Sequence, residues 1–148
     1  MKTRTIALAV LAALFLTALA QADIITQPSG LNPGDQYRLV FVTSGTWQDP
    51  QTPGGLDIAT VNGRVNTAAN AVGSVLAVLG ADWKAIASVL NTNANANTLT
   101  RTSDPSYPIY NLAGQRVAAG NCSLLGDNVN IENPISVNEL GNTVTTRV

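Results

Sequence analysis

The stretch Gln36–Ser44, QYRLVFVTS, is the clearest strand in the sequence and decides the fold class. Its residues alternate between two faces, with Tyr37, Leu39, Phe41 and Thr43 on one and Arg38, Val40, Val42 and Ser44 on the other. Aromatic and β-branched residues on both faces are typical of a strand that is buried on both sides. We therefore expect a strand here with both of its faces buried.

A helix is predicted next, after a loop over Gly45–Leu56 that is rich in proline and glycine. Asp57 has a side chain suited to capping the first turn, and Gly80 is suited to end the helix. Between them, apolar residues recur at spacings of three and four and form one face, namely Ile58, Val61, Val65, Ala68, Ala69, Val72, Leu76 and Leu79. The spacing thus predicts one long helix. Burial must hold it, because Gly63 and Gly73 lower its intrinsic propensity.

Shorter elements are predicted in the rest of the chain. Ala81–Leu90 is predicted to be a short strand, and Ile109–Leu112 and Gln115–Ala118 are predicted to be extended on either side of a turn. Asn91–Thr100 has asparagine at every second position from 91 to 97. That alternation would present a row of amides to a sugar, but without an aromatic platform it more simply predicts a flexible loop.

The N-terminus has the pattern of a cleavable export signal. Lys2 and Arg4 precede an apolar run over residues 6–19, which ends in the small-x-small triplet Ala20-Gln21-Ala22. The run is shorter than the roughly 18 to 20 apolar residues that a membrane anchor needs. We predict a signal peptide over residues 1–22 and a single secreted domain over residues 23–148. That domain is expected in the periplasm or outside the cell, with no membrane span.

The charges outside the leader argue against two classes of partner. The chain has eight basic and nine acidic residues, and two of the basic ones lie in the leader, so the remaining domain is mildly acidic. Nucleic acids and anionic membranes are bound through clustered lysine and arginine, so neither is expected. The single cysteine, Cys122, is expected to be a buried, inert thiol or, alternatively, the site of a bridge between two chains.

Several phrases occur in an order known from one bacterial family. They are YRLVFVTS at 37–44, the predicted helix, WKAIAS at 83–88, Arg101, PIYNLAGQRVA at 108–118 and NPISVNE at 133–139. In this order the chain resembles a bacterial secreted domain of PEP-CTERM-type proteins, and through that domain the endostatin-like, C-type-lectin-like fold. The resemblance covers most of residues 31–141.

The resemblance implies an α+β fold of the C-type-lectin-like type, in which one long helix packs on an irregular mixed sheet. It implies no enzymatic activity and no settled ligand. The family continues into a segment rich in tryptophan and glycine, whereas this chain ends at Val148 without one and has no Pro-Glu-Pro tail. That departure predicts a truncated chain, whose sheet would be left with an exposed edge.

The inventory of side chains argues against catalysis. The sequence has no histidine, the commonest general base near neutral pH, and Cys122 therefore has no histidine to activate it. Zinc and iron are disfavoured for the same reason. The alternative is a secreted hydrolase that uses a pair of carboxylates, although no spacing selects a pair. Its candidate carboxylates are Asp49, Asp57, Asp82 and Asp104.

Calcium is the one cofactor that the residue types allow, because it needs only oxygen ligands. Asp127, Asn128, Asn130 and Glu132 would offer four side-chain oxygens from one loop. The alternative is a polar surface turn in which these side chains bond their own backbone.

Trp47 is the candidate contact residue for a ligand. It lies in the loop rich in proline and glycine, where an exposed indole is a good stacking surface; alternatively, it folds back onto the core. Trp83, Tyr107 and Tyr110 lie in apolar phrases and are predicted to pack. The sequence thus predicts a secreted, non-enzymatic interaction module for an extracellular polysaccharide or a surface protein. The alternatives are the carboxylate hydrolase and a truncated remnant without independent function.

Overall fold

A three-stranded mixed sheet organises the part of the chain that the structure describes. The structure is a computed structural model, and it describes residues 26–47, 55–126 and 129–145. The strands are β1 (Arg38–Val40), β2 (Ile109–Asn111) and β3 (Arg116–Ala118), in the order β1-β2-β3. β1 is parallel to β2, and β2 is antiparallel to β3. With its helices, the protein is a small α+β domain, as predicted. The predicted signal peptide over residues 1–22 lies outside the described residues.

The first strand is shorter than the predicted one, because after Val40 the chain leaves β2 and pairs with a different segment. Regular pairing with β2 ends at Val40, where Val40 lies opposite Asn111. Val42 then forms a single parallel bridge with Asn138, and its N–H donates to the carbonyl of Val137 at 3.1 Å. The segment therefore joins two regions that are distant in the sequence.

Two apolar clusters contain most of the buried apolar residues in the described part of the chain. The first consists of Val40, Ile109, Val117 and Ala118, with Leu124 and Ile135 packed against it. The second consists of Ala69, Leu76, Leu112 and Val137, with Leu39, Phe41, Val75 and Trp83 packed against it. Consecutive residues of β1 thus enter different clusters, as expected of a strand with side chains on both faces.

The predicted long helix is wrong, and the helix that forms is shorter. Helix α1 spans Ile58–Ala69. Asp57 caps it as predicted, because its Oδ1 accepts the N–H of Thr60 at 2.6 Å. This bond from the Thr60 backbone also lowers the pKa of the Asp57 carboxyl.

Two residues explain why α1 stops. The hydroxyl of Ser74 donates to the carbonyl of Ala69 at 2.6 Å, and this is the carbonyl that the amide of Gly73 would bond in a continuing helix. Gly73 itself has a φ of 90°, which lies outside the helical region. The chain then makes one 3-10 turn over Ala77–Leu79, which Gly80 ends in the left-handed conformation. Gly80 therefore caps this 3-10 turn and not the predicted long helix.

Two short helices complete the described chain. Helix α2 spans Ala94–Asn97 and helix α3 spans Asn121–Leu125. Helix α2 lies inside the stretch predicted to be a flexible loop, so that prediction is wrong for these four residues. The guanidinium of Arg38 in β1 donates to the carbonyls of Thr98 and Leu99 at 2.9 and 2.8 Å, and so ties the end of α2 to the sheet. None of the helices in the described ranges has the length and hydropathy that a bilayer crossing needs.

The predicted strand over Ala81–Leu90 does not pair with the sheet, because helix α1 satisfies its backbone. The Oδ1 of Asn66 accepts the N–H of Trp83 at 2.8 Å, and the Nδ2 of Asn66 donates to the carbonyl of Trp83 at 2.6 Å. One helical turn earlier, the Oδ1 of Asn62 accepts the N–H of Ala85 at 2.8 Å. Four residues of a helix rise by about 6 Å, and two residues of an extended chain by about 6.6 Å, so the two spacings match.

Asn97 of α2 completes this arrangement. Its Nδ2 donates to the carbonyl of Ala85 and to the Oδ1 of Asn62, both at 2.8 Å. In return, the Nδ2 of Asn62 donates to the Oδ1 of Asn97 at 2.9 Å. We call Asn62, Asn66 and Asn97 the asparagine clamp. It bonds both backbone groups of Trp83 and of Ala85, as one neighbouring strand would.

We predict that Asn66→Ala lowers the free energy of unfolding by about 2 to 3 kcal/mol, because two backbone groups of Trp83 lose their partner. The measurement is denaturant unfolding followed by circular dichroism. Asn70→Ala is the matched control, since Asn70 is the exposed residue that directly follows α1 and its side chain donates to the carbonyl of Asn66. An Asn66→Ala variant as stable as the Asn70→Ala variant would contradict the clamp.

Candidate functional site

Trp47 lies on the surface, five residues after the bridge at Val42. Its side chain is 45% exposed and belongs to neither core cluster. A Cβ atom built on Gly45 would lie 4.0 Å from the Cζ2 atom of Trp47, so the six-membered ring lies near Gly45. Of the two placements considered for Trp47, the structure has the exposed one.

A buried carboxylate anchors the loop three residues before Trp47. Glu139 is only 3% exposed. Its Oε2 accepts the N–H of Ser44 at 2.8 Å, and its Oε1 accepts the hydroxyl of Ser44. Among the described residues, no cation forms an ion pair with this carboxylate. Within the described ranges, the hydrogen bonds to this carboxylate therefore come from Ser44.

Glu139 is itself fixed by its neighbours. Its carbonyl accepts the N–H of Val75 at 3.0 Å, which joins it to the segment after α1. The Oδ1 of Asn138, which is also buried, accepts the N–H groups of Leu140 and Asn142 at 3.1 and 2.9 Å. The anchor of the Trp47 loop is therefore part of a hydrogen-bonded turn and not a mobile side chain.

The segment that leads to Trp47 is uncharged and carries hydroxyl groups. Residues 43–47, TSGTW, contain no ionisable side chain, and residues 44–47 are exposed. The hydroxyl of Thr43 donates to the carbonyl of Gly45 at 3.1 Å, which tightens the turn. An indole beside neutral polar groups can stack on an apolar ring face and form hydrogen bonds around it.

The other aromatic residues pack, as predicted. Trp83 meets Phe41 edge to face, with ring centroids 5.0 Å apart, and Tyr110 meets Tyr37 in the same way at 6.3 Å. The guanidinium of Arg38 lies over the ring of Tyr107 at 5.7 Å. Trp83 therefore serves as an internal reference for Trp47.

Two of the four predicted calcium ligands, Asn130 and Glu132, lie in the described residues. Asp127 and Asn128 lie outside the described residues. Asn130 is exposed and bonds Ser123 through its backbone, whereas the Oε2 of Glu132 accepts the Nε–H of Arg116 at 2.8 Å. This ion pair raises the pKa of Arg116. Within the described ranges, no group of three or more acidic or cysteine side chains could hold a metal ion, and calcium binding stays a prediction.

The carboxylates considered for a hydrolase have local partners in the described chain. Asp57 caps α1, Asp82 pairs with Lys84 at 2.6 Å, and Asp104 accepts the N–H of Arg101 at 2.8 Å. The bond from Lys84 lowers the pKa of Asp82. Asp49 lies outside the described residues.

Cys122 is half-buried in α3. Its Sγ lies 3.8 Å from the hydroxyl oxygen of Thr102. The predicted inert thiol and the alternative bridge between chains both stay predictions.

Sequence reasoning missed Glu139 and the clamp. The sequence around Glu139 does not indicate that this residue is buried, because its partner Ser44 lies 95 positions away. The spacing of Asn62 and Asn66 by one helical turn was a usable signal, since it places both amides on the same face of α1.

Comparison of the chain with protein-family models, curated proteins and solved structures gave no match. The resemblance described above therefore stays an interpretation of the sequence.

We predict that iodide quenches the fluorescence of Trp47 and not that of Trp83, because only Trp47 exposes a large part of its indole. Steady-state quenching of the wild type should show two components, and Trp47→Phe should remove the accessible one. Trp83→Phe is the converse variant and should keep it. If Trp47→Phe leaves the accessible component in place, the exposed position of Trp47 is wrong.

Proposed function

We propose that this chain is an exported, non-enzymatic binding module and that Trp47 contacts an extracellular polysaccharide. The observation that carries the proposal is the exposed indole on a loop that a buried carboxylate anchors. A preformed aromatic surface binds with less loss of conformational entropy than a mobile one.

The chemistry around Trp47 favours a sugar over other ligands. Exposed indoles stack on the apolar faces of sugar rings, and the neighbouring residues 43–46 offer hydroxyl and backbone groups without charge. A surface protein is the other partner class that the sequence predicts, and it is an outcome of the binding test below. The proposal needs no catalytic residue, in line with the lack of histidine in the sequence.

The proposal includes a fold assignment finer than α+β. We propose that the domain is an irregular relative of the C-type-lectin-like arrangement, on the order of phrases that the sequence shares with PEP-CTERM-type secreted proteins. The mixed sheet, whose strands contribute residues to two apolar clusters, supports it. The shorter helix α1 is a departure from that arrangement.

Export is tested by expressing the full chain in a bacterium and sequencing the N-terminus of the protein recovered from the periplasm and the medium. We expect the recovered protein to begin at Asp23, because the small-x-small triplet at 20–22 is a cleavage site. Replacing Leu14 with Arg should block export, since it interrupts the apolar run, whereas Thr17→Ser should not. Protein that stays in the cytosol and begins at Met1 would contradict export.

Binding is tested by cosedimentation of the purified wild type with insoluble cellulose, chitin and peptidoglycan. We expect the wild type to sediment with at least one of them and Trp47→Ala to lose about tenfold or more in affinity, because stacking on an aromatic ring contributes roughly 1 to 1.5 kcal/mol or more. Leu90→Ala is the matched control, because Leu90 is 85% exposed in a different turn. Equal sedimentation of the wild type and the Trp47→Ala variant would overturn the proposal. If the wild type binds only a surface protein, the ligand is a protein and not a polysaccharide.

A further inference from the structure

We propose that Glu139 is the positioning residue of the Trp47 surface: its carboxylate fixes Ser44 and thereby holds the indole in a binding-competent orientation. The inference rests on the proposed function, because this role affects binding only if Trp47 is the contact residue. Packing alone does not require a carboxylate at this buried position, whereas holding Ser44 does.

The first argument is the cost of burying Glu139. A carboxylate removed from water is unfavourable unless hydrogen bonds compensate it. Glu139 is 3% exposed, and in the described part of the chain its compensation comes from the N–H and hydroxyl of Ser44. Burying an apolar side chain at this position, two residues after Val137 of the second core cluster, would cost less free energy. The carboxylate is therefore used for the bonds it makes to the loop.

The second argument is the geometry of the loop between the anchor and the indole. Only Gly45 and Thr46 separate Ser44 from Trp47. The hydroxyl of Thr43 closes the turn on the carbonyl of Gly45, and the ring of Trp47 lies near Gly45. A displacement of Ser44 therefore moves the short turn from which the indole projects.

The third argument is the rigidity behind the anchor. The carbonyl of Glu139 bonds Val75, and Asn138 bonds the amides that follow. Val42 also bonds Val137, so the loop is attached to this turn at two points, two residues apart. Release of the Ser44 bonds would remove one of these two points, the one nearer to Trp47.

The experiment is fluorine NMR of the full chain labelled with 5-fluorotryptophan, which gives one signal for Trp47 and one for Trp83. We expect Glu139→Ala to shift the Trp47 signal towards its position in urea and to leave the Trp83 signal in place. Glu139→Gln should restore the wild-type Trp47 signal, because the amide oxygen can accept the N–H of Ser44 and its NH₂ can donate to the hydroxyl. Glu132→Ala, which removes an exposed glutamate paired with Arg116, should shift neither signal.

An unchanged Trp47 signal in a folded Glu139→Ala variant would overturn the inference, and so would a Glu139→Gln variant that is shifted as far as Glu139→Ala. If Glu139→Ala moves both signals because it is unfolded, the test passes to the Ser44→Ala variant. This variant removes the hydroxyl bond to Glu139 and leaves the buried turn unaltered. It should shift the Trp47 signal alone, and no shift would overturn the inference.

Cosedimentation separates this inference from the proposed function. If the wild type binds a polysaccharide, Glu139→Ala should lose as much affinity as Trp47→Ala, and Glu139→Gln should bind as the wild type does; a Glu139→Ala variant with wild-type affinity would overturn the positioning role. If the wild type binds no polysaccharide, the proposed function fails, and the NMR shifts alone decide whether Glu139 positions Trp47.

Discussion

The described fold depends on one type of interaction, the hydrogen bonding of backbone groups by buried or half-buried asparagine side chains. The strands are three residues long, so sheet pairing satisfies few backbone groups. Unpaired backbone groups away from water are costly, and each must find a partner. A primary amide has both a donor and an acceptor and can therefore replace a missing strand neighbour. The asparagine clamp does this for Trp83 and Ala85.

Asparagine side chains bond backbone groups in the same way at three other places. Asn111, which is fully buried, accepts the N–H groups of Ala113 and Gln115 and donates to Gln115 and to the carbonyl of Pro134. Asn121 donates to the carbonyls of Asp104 and Pro105, and Asn138 accepts two amides of its own turn. These bonds give an irregular chain defined positions without long strands. They also give Glu139 a rigid turn from which it can hold the Trp47 loop.

The parts of the fold that could be predicted are those with local causes. The alternation in 36–44 located β1, the patterns at 109–112 and 115–118 located β2 and β3, and Asp57 was recognised as a cap from its residue type. The end of α1 was missed because apolar spacing continues to Leu79, whereas Ser74 and Gly73 stop the helix through a side-chain bond and a left-handed backbone. The clamp and the Glu139 anchor join positions that are 12 to 95 residues apart, and no local pattern encodes such pairs. For the candidate site, the sequence located Trp47 but not what holds it.

The most direct measurement is amide hydrogen exchange of the native protein, read at the N–H groups of Trp83 and Ala85. We expect both amides to be protected to about the same degree as the sheet amide of Val40, because side-chain carbonyls accept them as a strand would. The exposed amide of Lys84 between them should exchange fast and serves as the internal comparison. Exchange of Trp83 and Ala85 at the rate of Lys84 would contradict the account, since these amides would then have no lasting partner in Asn66 and Asn62.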